Sequence, residues 1–260
     1  MTTKYYGCAL AVLVLLMGAG TVQADTILYS CDFESPVTLG NLTTSTIAGQ
    51  DGWVLTSGYN NAVVASGFGV DTTQVVTTGA SLLAYGAQKS LSLAPFTSSS
   101  PAVTMSGWFR NTGGGTISLA GLQWGATATE IGIMSGGSSP GKVTYGWGGY
   151  YGPDLTLGNW YEIKAVMTFA TAGGLVDLSY RDATAGATAF TSVATGIAAG
   201  IPLVSGQYQA TGFSLRMFNN SNGTAYQDNF SVSQIPEPST LALLAAGLVG
   251  LLCYAWRKRR

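Results

Sequence analysis

Between Asp25 and Gln234 the apolar positions come in short runs rich in β-branched and aromatic residues, each soon broken by Gly, Asn, Asp or Pro. That punctuation belongs to strands joined by turns. The pattern predicts strands near Thr26–Phe33, Trp53–Leu55, Ala62–Ala65, Ser90–Leu93, Ala102–Phe109, Thr116–Leu122 and Glu130–Met134. It continues with Lys142–Trp147, Trp160–Phe169, Leu175–Arg181, Phe190–Val193, Phe213–Phe218 and Gln227–Val232, and no long helix competes within this stretch. From Trp160 to Met167, Glu162 and Lys164 alternate with Tyr161, Ile163 and Ala165, as in a strand with one wet face. Ala172-Gly173-Gly174 then reads as a hairpin turn, and the returning strand keeps Val176, Leu178 and Tyr180 on one face. Many antiparallel strands without a helical layer make an all-β, two-sheet sandwich of jelly-roll type the economical architecture.

Both ends of the chain break this pattern. At the N-terminus Lys4, the apolar stretch Ala9 to Ala19 and the small-x-small site Val22-Gln23-Ala24 have the layout of a signal peptide, residues 1–24, with the mature chain starting at Asp25. Cys8 precedes the apolar stretch, so it is not placed as a lipid-modified cysteine. At the C-terminus Pro236-Glu237-Pro238 leads into Ser239-Thr240, then an uncharged run from Leu241 to Trp256, then Arg257-Lys258-Arg259-Arg260. The prolines hold that stretch extended and accessible, and Ser239 or Thr240 suits the cap of a following helix. As a helix the run spans about 24 Å against a hydrocarbon core of about 30 Å, a marginal transmembrane helix. The terminal cations stop it and stay cytoplasmic by the positive-inside rule.

This tail, residues 235–260, resembles the sorting tail of PEP-CTERM proteins, which certain Gram-negative bacteria export and process with an exosortase. The resemblance implies an exosortase-type enzyme acting near Pro236, Glu237 and Pro238, with the inner membrane as a transient partner. A permanent single-pass anchor is the alternative reading. Residues 25–234 would then be a β-sandwich domain delivered to the cell surface or extracellular matrix from a single-pass membrane precursor.

Charge narrows what that domain meets. It carries six Lys or Arg against eleven Asp or Glu, an excess of five negative charges. Nucleic acid is thereby excluded as a partner, because its nonspecific affinity comes largely from cations that neutralise phosphates. The chain contains no histidine, which removes Ser-His-Asp and Cys-His catalysis and the commonest metal ligand. Cys31 is the single cysteine between the two ends, so the domain has no internal disulfide, and the thiol reads as a small strand hydrophobe.

A second resemblance covers the domain. Asp32-Phe33-Glu34, Trp160-Tyr161-Glu162-Ile163 and Gln227-Asp228-Asn229-Phe230-Ser231-Val232 resemble, in order and spacing, strands of a concanavalin-type (LamG-like) jelly roll. It implies the fold and no site. A glycoside hydrolase of that fold needs two carboxylates, and Asp32 with Glu34 would lie about 6.8 Å apart on one strand face. The Glu-x-Asp-x-x-Glu run of laminarinase-like enzymes is missing, so the sequence points to no enzyme. Asp32, Glu34 and Asp228 would instead suit a structural Ca²⁺ if the first and last strands pair, although ordinary surface charge is the plainer reading.

For binding, the richest stretch is Tyr145-Gly146-Trp147-Gly148-Gly149-Tyr150-Tyr151-Gly152-Pro153-Asp154. Tyr145, Trp147, Tyr150 and Tyr151 separated by glycines would present flat rings on a mobile loop, with Asp154 accepting from sugar hydroxyls. The alternative is that Tyr145 and Trp147, two apart at a strand end, both face the core while the tyrosines cover a loop. The expectation from sequence is an exported, non-catalytic binding or scaffolding protein, with a membrane-anchored carbohydrate-binding module and a glycosidase as rivals. Exopolysaccharide is the partner implied for the binding readings.

Overall fold

In the computed structural model, the residues described are 25–33, 46–70, 74–78, 84–136, 140–170, 172–219 and 223–235, with Tyr254 and Lys258 in helical conformation. Ile27–Gln234 divides off as one compact unit. Its strands are β1 (Thr26–Cys31), β2 (Trp53–Leu55), β3 (Val63–Ser66), β4 (Gln74–Thr77), β5 (Ala84–Ser90), β6 (Val103–Asn111), β7 (Ile117–Trp124) and β8 (Thr127–Met134). The rest are β9 (Gly141–Tyr145), β10 (Gly149–Leu155), β11 (Tyr161–Thr168), β12 (Leu175–Asp182), β13 (Thr191–Ala198), β14 (Gly212–Phe218) and β15 (Ala225–Gln234). No helix among the described residues is long and apolar enough to cross a membrane. The signal segment 1–24, the motif Pro236–Pro238 and the terminal cations other than Lys258 lie outside the described residues.

Two antiparallel sheets form the sandwich. One runs β13-β12-β11-β6-β15-β4-β3, with β1 also paired to β15; the other runs β10-β9-β8-β7-β14-β5-β2. The alternation in Tyr161–Met167 becomes a buried face of Tyr161, Ile163, Ala165 and Met167, and its hairpin partner pairs in unbroken register from Tyr161↔Asp182 to Thr168↔Leu175. Between the sheets aromatic rings pack against one another. Phe96 stacks on Phe169 at 5.0 Å with Trp124 edge-on at 5.9 Å, and Phe213 meets Phe230 at 4.3 Å and Trp53 at 5.7 Å. Such pairs add about 0.5–1.5 kcal/mol each beyond the area they bury.

Three elements depart from the sequence expectation. β4 is Gln74-Val75-Val76-Thr77, with only two apolar residues and no alternation to read, and it forms because β3 and β15 flank it. β5 lies earlier than the predicted Ser90–Leu93, because its pairing with β14 runs from Ala84↔Phe218 to Ser90↔Gly212. The Gly- and Pro-rich stretch expected to be a loop is strand β10, paired with β9 from Gly149↔Tyr145 onward.

Candidate functional site

The outward face of the seven-stranded sheet holds the chemistry. On β14, Phe213, Leu215 and Met217 enter the core, so Ser214 and Arg216 point away from it. On β8, Ile131 and Ile133 are core and Glu130 faces outward, yet Glu130 is 0% exposed. Its carboxylate crosses an intervening strand. Gly121 on β7 pairs with Glu130 on one side and with Ser214 on the other, and having no side chain it leaves the path over β7 open. A Cβ there would also meet the Thr129 carbonyl oxygen at 1.9 Å, so β8 approaches closely only because the residue is glycine.

Across that gap Glu130 accepts from both ends of the Arg216 guanidinium, with Nε to Oε1 at 2.7 Å and Nη2 bound to Oε2, and from Ser214 Oγ at 3.1 Å. Burial acts against the guanidinium's charge. The Glu130 hydrogen bonds and charge, then those of Tyr59, outweigh it, and the Arg216 pKa is raised above its ordinary value. Removing either member would strand the other, which is the costly way to break a buried pair.

Trp147 stands beside this pair. It occupies the tip of the β9–β10 hairpin between Gly146 and Gly148, whose φ values of 63° and 98° only glycine adopts without strain. The Gly146 N–H donates to the Glu130 backbone carbonyl at 2.8 Å, so one residue fixes both the hairpin tip and the arginine. As a result the Trp147 ring centroid lies 5.5 Å from the Arg216 guanidinium carbon, within cation–π range, while the residue stays 61% exposed. Opposite, Tyr59 packs over Gly86, the β5 partner of Arg216, and a Cβ at Gly86 would touch its ring at 3.0 Å. Gln123 Nε2 donates to Gln88 Oε1 at 3.2 Å, and the two amides extend the face.

Strand alternation sorts the five residues expected to bind sugar. Tyr145 turns inward, its hydroxyl donating to the Ala199 carbonyl at 3.0 Å, and burial raises its pKa, with the nearby Tyr151 contributing. Tyr151 packs half-buried against the core. Trp147 and Tyr150 remain outside, Tyr150 at 50% exposed opposite outward-facing Thr144. Asp154 is exposed and pairs with Lys142 at 3.4 Å. Tyr145 and Trp147 therefore do not share a face, because the chain turns between them.

Of the three residues expected to hold calcium, Glu34 lies outside the described residues and Asp32 is exposed past the end of β1. Strand β1 does pair with β15, but Asp228 is buried, and its carboxylate accepts from the Val70 N–H at 3.0 Å and the Asn229 N–H at 2.8 Å. Among the described residues no group of three or more His, Cys, Asp or Glu is placed to hold a metal ion. The Glu130–Arg216 pair was missed from sequence because its members lie 86 residues apart. The available signal was a charged residue inside each of two otherwise uncharged strands.

Comparison with known proteins bears on the tail first. Residues 234–260 match the PEP-CTERM protein-sorting motif, so the chain carries the signal of an exported protein sorted to the cell surface with an exosortase as processing partner. No curated protein matches the sequence. Among solved structures, a carbohydrate esterase from Shiga toxin-encoding bacteriophage phi24B aligns at TM-score 0.49 and 10% identity over 82% of this chain and 100% of its own. The catalytic domain of a GH131 beta-glucanase from Podospora anserina aligns at 0.48 and 11%, over 80% of this chain and 95% of its own. The lectin UEA-II, solved with galactose, aligns at 0.42 and 12%, over 81% and 99%. At these scores none of them transfers a residue or a ligand to this chain.

Proposed function

We propose that the protein is an exported, surface-associated β-sandwich that binds polysaccharide without cleaving it, through the outward face of the seven-stranded sheet around Trp147. The observation that carries this reading is a tryptophan left 61% exposed yet held in position from two sides, by its hairpin anchor on Glu130 and by Arg216. A ring that is presented and immobilised meets a sugar face at little entropic cost. Tyr150 offers a second outward ring and Tyr59 a hydroxyl. The sorting motif supplies the context, since it directs the domain to the surface where polysaccharide is met.

A non-catalytic role is favoured by the state of the carboxylate. A glycosidase acid or nucleophile must reach the scissile bond. Glu130 is fully buried and engaged by Arg216 and Ser214, so it serves the site as an anchor. Trp147→Ala in the full-length chain, kept in detergent, is the test: polysaccharide retention in affinity electrophoresis should fall about tenfold, on the scale of aromatic stacking, while the melting curve is preserved. Reducing ends released from the bound polymer would overturn the non-catalytic part, and retention unchanged by the substitution would overturn the site.

A further inference from the structure

We infer that the polymer taken by this face is uncharged, an inference that rests on the glycan reading of Trp147 and narrows it to a class. The strands of the seven-stranded sheet contribute three cations, Lys89 on β5, Lys142 on β9 and Arg216 on β14. Each one already has a carboxylate. Lys89 pairs with Asp51, Lys142 with Asp154, and Arg216 with the fully buried Glu130. Lys89 lies in the inward row of Tyr85 and Ala87, opposite core Phe213, so the cations turned to this face are Lys142 and Arg216, and an acidic polymer laid on it would meet both already compensated.

The rest of the domain makes that approach worse, because residues 25–234 carry five more negative than positive charges. At low ionic strength, where the Debye length is about 30 Å, a polyanion feels that excess across much of the molecule. What the face does offer suits hydroxyl groups. It presents the Trp147 and Tyr150 rings, the amides of Gln88 and Gln123, and guanidinium N–H groups whose charge Glu130 balances. Neutral donors and acceptors beside a flat ring recognise a diol and its apolar sugar face, and the recognition needs no net charge.

Salt separates the alternatives. The full-length chain in detergent is titrated with soluble uncharged polymers (β-glucans, mannans, xylans) and with uronate polymers (alginate, polygalacturonate). Uncharged polymers should bind, with a Kd that moves less than about twofold as added salt shrinks the Debye length from about 30 Å to about 3 Å. Trp147→Ala should weaken that binding about tenfold. If Trp147-dependent binding is confined to uronate polymers and collapses with salt, the uncharged class is wrong while the glycan site stands. If neither class binds in a Trp147-dependent way, the glycan reading itself fails and the class falls with it.

Discussion

On the seven-stranded sheet Arg216 is drawn down onto a buried glutamate and Trp147 beside it stays 61% exposed; on the eight-stranded sheet Arg181 lies 5.5 Å from Trp108 and 5.1 Å from Phe190, and both rings are half-buried. Both arginines have a glutamate partner. Glu162 sits directly opposite Arg181 on the adjacent strand, and both side chains remain partly exposed, at 14% and 27%. Glu130 instead reaches Arg216 across Gly121 from two strands away and is wholly enclosed. A missing side chain thus sets how deeply the carboxylate sits. The two guanidinium side chains are equally accessible, 26% for Arg216 and 27% for Arg181, so the contrast lies in the carboxylates and the rings: Trp108 and Phe190 are half-buried beside the Arg181 pair, and Trp147 stands exposed beside the Arg216 pair.

The strongest way to break this contrast is to make one substitution on both faces. Arg216→Met leaves Glu130 enclosed without its cation, and should cost about 3–5 kcal/mol. Arg181→Met removes a partly solvated pair and should cost about 1 kcal/mol or less. Urea unfolding of the two variants measures the difference, and equal losses would mean that the enclosure of Glu130 carries no special energetic weight. The double variant Glu130→Gln, Arg216→Met should recover much of the single variant's loss, since it leaves no unpaired charge.

Next in size is the glycine itself. Gly121→Ala pushes a methyl group against the Thr129 carbonyl oxygen and the Glu130 Cα, both backbone atoms that move only if β7 and β8 separate. A loss of about 1–3 kcal/mol is expected from overpacking, with weaker protection of the β7–β8 amides in hydrogen exchange. Normal stability and protection in this variant would show that the close approach is not needed to seat Glu130.

How far the sequence reaches is visible in these same residues. The β11–β12 hairpin was legible because Glu162 and Lys164 alternate with core residues and a Gly-Gly turn follows, all within about twenty residues. The exported tail was legible because its order of prolines, apolar run and cations is local. β10 was not, since Gly149, Gly152 and Pro153 speak against a strand and only the pairing with β9 makes one. Likewise the pentad from Tyr145 to Asp154 announced aromatics without their facing, which the turn at Trp147 sets. Glu130 and Arg216 meet through register across three strands, and no window of sequence contains both.

The smallest effect tests the eight-stranded side. Lys164 Nζ lies 4.1 Å from the centre of the Phe190 ring, and the Arg181 guanidinium approaches the same ring at 5.1 Å, so the ring serves two cations. If rings on this face act as cover for charge, Lys164→Met and Phe190→Ala should be coupled in a double-mutant cycle by about 0.5–1 kcal/mol. On the opposite face Trp147→Ala should change stability by no more than about 0.5 kcal/mol, because the exposed ring covers little and Glu130 still holds Arg216. Thermal unfolding of the cycle and of Trp147→Ala measures both. Coupling near zero for Lys164 and Phe190, together with a large loss for Trp147→Ala, would reverse the assignment: the ring presented to solvent would be the structural one, and the binding surface would have to be sought around Phe190.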